Sequence, residues 1–309
     1  MSAPRLSGRI AALVLASASL LATAAAATTT AADWGTLLER YAPTVVNLRL
    51  TLASEVEGSG APPEEATEEV RGVVVDAGGL ILVWNSHLSA GRTSELFADV
   101  GGGMRLKTTP TEMRVTLAGE SRERRAFMAA SDTALDLAFV QLEEPPAEPL
   151  PAVDFSQAAP IAVGDELVTV SRLSSTFDRA PYIDSVRVGG ELRKPRAAWI
   201  LSGGNATQAG LPYFTADGRP AGVLVTFLSR AGDPTTSNPG KLFAELMSLG
   251  RGQSEVGPLG LFLLPAERVH GVVEQARERA RELLAERREA AAQAKEESER
   301  PEGEEKPEP

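Results

Sequence analysis

The chain has few side chains that could form a metal site or a nucleophile–base pair. Its 309 residues include two histidines, His87 and His270, and no cysteine. The histidines lie far apart in sequence, and no glycine-rich phosphate loop opens a helix, so we predict no metal and no other cofactor. Covalent acyl transfer needs a nucleophile, a histidine that takes its proton, and a carboxylate that orients the imidazole.

Between residues 44 and 264 the chain consists mainly of short apolar runs separated by turn residues. Many short strands at this spacing predict an all-β sandwich or barrels. A proline- and glutamate-rich link, Glu143–Pro151, divides them into two halves of similar size. The predicted strands are Val45–Leu50, Val70–Val75, Leu80–Trp84, Arg114–Leu117 and Leu137–Leu142 before the link, and Glu166–Val170, Asp184–Val188, Ala198–Leu201, Ala221–Phe227 and Leu259–Leu264 after it.

Helices and insertions complete the pattern. Apolar residues at helical spacing predict a short helix over Asp33–Tyr41 and a long charged helix over residues 266–297. Because the apolar residues of the second helix end at Leu284 apart from alanines, we expect its first half to pack and its second half to be solvated. Coiled-coil pairing of this helix is the alternative. Ser54–Glu69 and the loop containing Gly101–Gly103 are predicted to be exposed insertions.

The N-terminal residues have the layout of a secretory signal peptide. Arg5 and Arg9 precede the apolar stretch Ile10–Ala27, and Ala-x-Ala choices follow. We predict a signal peptide over residues 1–27, with retention as a membrane anchor as the alternative. The protein is then exported to the periplasm or secreted, with no membrane contact after cleavage. Without cysteine, the exported fold must be held together by its core.

The charge of the chain limits its partners. The formal net charge is −11, which argues against nucleic acid because phosphate binding needs a basic surface. Residues 298–309 are rich in proline and glutamate and are predicted to form a disordered acidic tail. The sequence leaves oligomer formation open.

Several short motifs follow one another between Ala42 and Val273, and together they resemble the trypsin-like protease domain of the HtrA/Deg family. The resemblance implies two six-stranded antiparallel β-barrels within residues 33–270, one over about 43–145 and one over about 152–264. A charged helix follows them, in place of a PDZ domain. The motifs are Ala42–Leu48, Gly72–Leu82, Leu135–Val140, Val163–Asp165, Ala216–Val223 and Leu261–Pro265.

The resemblance also assigns the positions of a catalytic carboxylate and histidine. Asp136, in the sequence Asp-Leu-Ala, takes the place of the carboxylate. Ser86 aligns with the histidine when no gap is allowed, and His87 lies one place later. A shift of one residue turns a side chain to the other face of an extended segment, so His87 serves only if a bulge precedes it. An ordinary histidine at this position is the alternative, and His270 is expected to be a solvated residue of the long helix.

The same resemblance places Ala209 at the nucleophile position. The segment Thr207–Phe214 stands where the family has Gly-Asn-Ser-Gly-Gly-Pro, and a methyl group cannot attack a carbonyl. Thr207, Gln208 and Gly210 then belong to the oxyanion loop, in which Thr207 replaces a glycine whose backbone freedom a β-branched residue lacks. Ser202 is an alternative nucleophile, although the strand after it would lie several residues too far along the chain.

The sequence therefore predicts a catalytically inactive protein of the trypsin-like serine-protease fold. It would act as an exported module that binds an extended peptide or protein in the cleft between the barrels. One alternative is a divergent, active serine endopeptidase of the HtrA/Deg type that uses His87 and Asp136 in envelope protein quality control. A third hypothesis is a non-enzymatic protein whose acidic helical tail binds the partner.

Overall fold

Twelve antiparallel strands form two closed barrels. The computed structural model describes residues 33–56, 60, 62–89, 106–194, 196–203, 206–228 and 259–298. The first barrel has the strand order β1-β2-β3-β6-β5-β4 and the second β10-β11-β12-β9-β8-β7. The strands are β1 Val45–Val56, β2 Glu64–Asp76, β3 Leu80–Trp84, β4 Leu106–Thr116, β5 Glu123–Asp132, β6 Leu137–Leu142, β7 Glu166–Arg172, β8 Pro181–Leu192, β9 Ala198–Ser202, β10 Pro212–Phe214, β11 Pro220–Leu228 and β12 Leu259–Pro265.

The predicted all-β fold with two six-stranded antiparallel barrels is confirmed. Two of the strands, β5 and β10, are additional to the ten expected from the sequence. β5 is rich in arginine and alanine, which do not mark a strand, and β10 is only three residues long. The predicted signal peptide over 1–27, Gly101–Gly103 and residues 299–309 lie outside the described residues.

The prediction of an irregular insertion over Ser54–Glu69 is wrong where the structure describes it. Residues 64–69 belong to β2 and pair in register with residues 49–54 of β1. These six residues of β2 are all exposed. An exposed strand needs no apolar alternation and carries charges on both faces, which is why the acidic sequence did not indicate a strand.

Each barrel has its own apolar core. The first is built around residues such as Leu48, Ile81 and Val140, and the second around Leu167, Leu224 and Leu263. All six residues of β6 are buried, as expected for a continuous apolar strand.

In the described part of the chain, two α-helices accompany the barrels: α1, Trp34–Tyr41, and α2, Ala266–Ser298. Tyr41 of α1 stacks on Phe214 of the second barrel with ring centroids 3.8 Å apart. On α2, Val269, Val273, Ala276 and Ala280 are buried, whereas residues 285–295 are exposed. The helix therefore packs along its first half and is solvated along its second. No helix in the described ranges is long and apolar enough to cross a membrane.

Candidate functional site

Asp136 lies at the end of the turn between β5 and β6 and is completely buried. Its backbone has φ of 59°, in the left-handed region, where aspartate is tolerated better than most residues. Its carbonyl oxygen accepts a hydrogen bond from the Asn85 N–H at 3.1 Å. This bond ties the turn to the end of β3, which carries the residues that face the carboxylate.

Three side chains donate hydrogen bonds to the Asp136 carboxylate. The Ser86 hydroxyl donates to Oδ1 at 2.9 Å, and the Trp84 indole N–H donates to Oδ2 at 2.5 Å. Thr226, on β11 of the second barrel, also donates to Oδ2. A buried carboxylate must be compensated by hydrogen bonds, and here donors from both barrels supply them. Asp136 therefore links the two barrels.

Ser86, and not His87, faces the carboxylate. Residues Leu80 to Trp84 of β3 pair with β6 without a register shift, so β3 has no bulge that would move His87 into the place of Ser86. Ser86 and His87 follow in the 3₁₀ turn Asn85–His87. A serine hydroxyl can donate a hydrogen bond to the carboxylate, as Ser86 does. Unlike an imidazole, it does not take up a proton near neutral pH.

His87 packs against Trp84 instead. The two rings meet edge to face, with centroids 4.8 Å apart and planes at 86°. Burial, with a smaller contribution from the positive charge of Arg71, lowers the pKa of His87 to about 4. The ring is therefore neutral at neutral pH. Among the described residues it makes no hydrogen bond to Asp136.

Ala209 lies in a loop that packs against the end of β3. Its side chain is 4% exposed. The next residue, Gly210, has φ of 83°, and a Cβ atom there would lie only 2.6 Å from the Trp84 backbone nitrogen. The Gly210 N–H donates to the Leu224 carbonyl at 2.7 Å. Trp84 therefore lies beside the loop that carries Ala209 and is also hydrogen-bonded to Asp136.

The oxyanion-loop positions form a closed turn. Ala206–Gln208 is a 3₁₀ turn, and the Leu211 N–H donates to the Gln208 carbonyl at 3.0 Å. Thr207 is exposed, whereas Gln208 is 1% exposed. The turn is held from inside the second barrel by the side chain of Gln208.

Gln208 connects two buried or half-buried partners. Its amide Nε2 donates to Asp184 at 2.8 Å, and its Oε1 accepts a hydrogen bond from the Tyr213 hydroxyl at 2.7 Å. Burial, followed by the nearby charge of Asp184, raises the pKa of the completely buried Tyr213. The chain Asp184–Gln208–Tyr213 fixes the residue that precedes Ala209.

The remaining candidates lie elsewhere. Ser202 is exposed at the end of β9, and its hydroxyl lies against Gly189 of the neighbouring strand. His270 is half-exposed on α2, 3.9 Å from Glu274. In the described part of the chain, no group of histidine, aspartate and glutamate side chains is arranged to hold a metal ion.

Sequence reasoning missed Trp84, Thr226, Asp184 and Tyr213. Trp84 is two residues before Ser86, and Thr226 is a polar residue inside the apolar run of β11, so each carried a weak signal. Neither signal shows the partner, because that partner comes from another part of the fold.

Two closed six-stranded antiparallel barrels, with a buried aspartate on the turn before the sixth strand, define the trypsin-like serine-protease fold. No family model and no curated protein matches the chain. Among solved structures, the chain is similar to an HtrA-type protease, AlgW, in a serine-to-alanine variant with a tripeptide. The sequence identity is 17% and the TM-score 0.48, and the alignment covers 78% of this chain and 62% of that one. The likeness concerns the fold alone.

Proposed function

We propose that this protein is a catalytically inactive member of the trypsin-like fold class that binds an extended peptide or protein segment between its barrels. The observation that carries the proposal is the set of hydrogen bonds on Asp136. Trp84, Ser86 and Thr226 donate to the carboxylate, so the position that would hold an imidazole holds a hydroxyl. Ala209 adds a methyl group where a nucleophile is needed, and the loss of one triad serine typically removes about 10⁶-fold of the rate.

The edge of β11 supports peptide binding. β11 pairs with β10 only as far as Val223, and with β12 over its whole second half. Within the described residues, no strand pairs with Val225–Leu228 on the edge opposite β12. Leu224 exchanges hydrogen bonds with the Gly210–Leu211 backbone on that edge. Because backbone groups alternate along a strand, Thr226 and Leu228 present theirs to the same edge.

An extended segment could add to this edge as a further strand, a common mode of peptide recognition in which main-chain hydrogen bonds provide the affinity. The proposed ligand is therefore an unstructured polypeptide whose backbone is accessible. Export to the periplasm or outside the cell, proposed from residues 1–27, would bring the protein to unfolded envelope proteins.

Fluorescein-labelled casein, which is largely unstructured, tests this function. We expect it to bind and stay intact, and the amides of Val225–Leu228 to exchange hydrogen more slowly in its presence. The amides of β6 are buried and already paired, so they serve as the internal control and should not change.

Two outcomes would contradict the proposal. Casein cleavage that disappears in a His87→Ala variant would indicate the active endopeptidase. Casein binding that protects only residues 285–295 of α2 would indicate the helical tail as the binding element.

A further inference from the structure

A groove opens in the first barrel where β4 and β5 separate. The two strands pair only through Arg114–Thr116 and Glu123–Arg125. The other edge of β4 is paired with β1 along its length, and the other edge of β5 with β6. In the described residues, the facing edges of β4 before Arg114 and of β5 after Arg125 have no strand partner. The β4–β5 groove is lined by Thr109–Met113, Arg125–Met128, Glu143 and Arg287.

Both walls of the β4–β5 groove are irregular where they separate. β4 has a register shift that leaves Thr111 without an opposing residue on β1, and the Thr111 hydroxyl donates to the Thr51 carbonyl at 3.2 Å. β5 has a second shift at Ala129, opposite β6. Bulges bend a strand and terminate pairing, and they occur preferentially near binding sites. The bulges hold the two edges apart without breaking the barrel.

The volume and the apolar lining of the groove are those of an ordinary ligand site. Its volume is about 490 Å³, within the range of ordinary binding pockets, about 300–1,000 Å³. Met113, Ala126 and Phe127 are each 6–8% exposed and provide an apolar floor. The guanidinium of Arg287, from α2, lies 4.2 Å from the centre of the Phe127 ring and forms one wall.

Two arginines share one glutamate at this wall of the groove. Arg125 and Arg287 each lie 3.4 Å from the Glu143 carboxylate. The other acidic residue of the lining, Glu112, is paired with Arg114 at 2.6 Å. An acidic side chain on a ligand would therefore complete the pairing of Arg125, whose side chain is 72% exposed.

We propose that the β4–β5 groove binds an extended segment of a partner polypeptide by strand addition, with an acidic side chain of that segment beside Arg125 and Arg287. The unpaired edges supply main-chain donors and acceptors on both sides of the segment. The arginines set its orientation. This site is separate from β11 and from Asp136, so it does not depend on the function proposed above.

A fluorescein-labelled hexapeptide of sequence Thr-Val-Thr-Val-Glu-Val provides a direct test on the full chain. We expect it to bind, and the amides of Thr109, Thr111–Met113 and Ala126–Met128 that face the groove to exchange more slowly when it is present; Pro110 has no amide N–H. A version with N-methylated valines, which loses strand hydrogen bonds, should not bind. A version with lysine in place of glutamate should bind more weakly.

Variants of two arginines with similar exposure, Arg125 and Arg122, distinguish binding in the groove from a general effect of charge. Arg125→Glu should weaken binding of the acidic peptide by about five- to tenfold and improve binding of the lysine peptide. Arg122→Glu should change neither, because Arg122 is 75% exposed and pairs with Glu144, outside the lining. Arg125→Gln gives a milder variant, with an intermediate loss expected.

Two results would overturn the inference. One is an equal effect of Arg122→Glu and Arg125→Glu. The other is protection of Val225–Leu228, or of no amides at all, when the hexapeptide is present at about 1 mM. Protection at β11 alone would support the function proposed above while rejecting this second site, so the two proposals fail independently.

Discussion

The buried carboxylate of Asp136 links the two barrels through hydrogen bonds. Its carboxylate receives hydrogen bonds from Trp84 and Ser86 of the first barrel and from Thr226 of the second. The indole N–H can only donate, so it needs an acceptor at this place. These buried donors give Asp136 a structural role.

Replacement of Asp136 should therefore destabilise the protein. Asp136→Ala leaves several buried donors unpaired and should lower the free energy of unfolding by about 3–5 kcal/mol. Asp136→Asn keeps one oxygen and tolerates the left-handed backbone, and it should cost about 1–3 kcal/mol. Urea unfolding measures both.

Asp178 is the matched control, since it has φ of 54° but is exposed. Asp178→Ala should cost only the backbone strain, about 1 kcal/mol, and Asp178→Asn almost nothing. If the Asp136 and Asp178 variants were equally stable, Asp136 would not be the inter-barrel link.

His87 makes a distinct contribution, which depends on pH. Its pKa is lowered to about 4 in the folded protein by burial and by Arg71, against about 6.5 when unfolded. The unfolded chain therefore binds more protons between these values. The contribution of the neutral, buried His87 to the free energy of unfolding is fully present above about pH 6.5 and is lost as the pH falls towards 4.

We expect His87 to account for about 2 kcal/mol of lost stability between pH 7 and pH 5. His87→Phe keeps an aromatic ring beside Trp84 and removes the titration. Urea unfolding at the two pH values should show a smaller pH dependence for this variant than for the parent. An identical dependence would mean that His87 is not buried in its neutral form.

At the scale of elements, the loop between β9 and β10 is packed closed. Gln208 anchors it to Asp184 and Tyr213, and Gly210 lets it approach the backbone of Trp84. The loop and the end of β3 therefore form one packed unit.

Gly210 tests how tightly the loop is packed. Gly210→Ala places a Cβ atom 2.6 Å from the Trp84 nitrogen at positive φ, so it should cost about 3 kcal/mol or more of unfolding free energy. Gly119 also has positive φ, but nothing lies within 4 Å of a Cβ built there. Gly119→Ala should therefore cost about 1 kcal/mol. Equal costs would show that the loop does not press against β3.

At the scale of the whole molecule, α1 and α2 each contact the barrel that lies farther from them in the sequence. α1 precedes the first barrel and stacks Tyr41 on Phe214 of the second. α2 follows the second barrel and reaches the first, where Arg277 contacts Asp76 at 2.6 Å. Arg172 of β7 adds bonds to the carbonyls of Val45 at 2.9 Å and Ala42 at 2.7 Å. These contacts hold the barrels in one arrangement around Asp136.

Sequence reasoning could reach ten of the twelve strands of the barrels, since each of the ten is a local apolar pattern. Through the family resemblance it also assigns Asp136 and Ser86 to facing positions, and their side chains are hydrogen-bonded at 2.9 Å. It could not supply Thr226 as a partner of Asp136, or Tyr213 as a partner of Gln208. Those contacts depend on how the strands pack in three dimensions, and a polar residue in a strand does not reveal what it faces.

The same limit applies to the acidic segment of β2. Its exposed glutamates show no alternation of apolar and polar residues. The pairing of this segment with β1 therefore becomes apparent only in the structure. β4 and β5 separate near bulges at Thr111 and Ala129. Pro110 marks the first bulge in the sequence, because proline within a sheet is found at edges and bulges, whereas no glycine or proline stands beside Ala129.

The central claim, that the protein cannot perform acyl transfer, is tested most directly by fluorophosphonate labelling followed by intact mass measurement. The native full chain is incubated with the probe, beside trypsin as a positive control. The account predicts an unchanged mass for this protein, because Asp136 is paired with Ser86 and Ala209 offers no nucleophile. A stoichiometric adduct on a serine, lost in a Ser202→Ala variant or mapped to any other single serine, would contradict it.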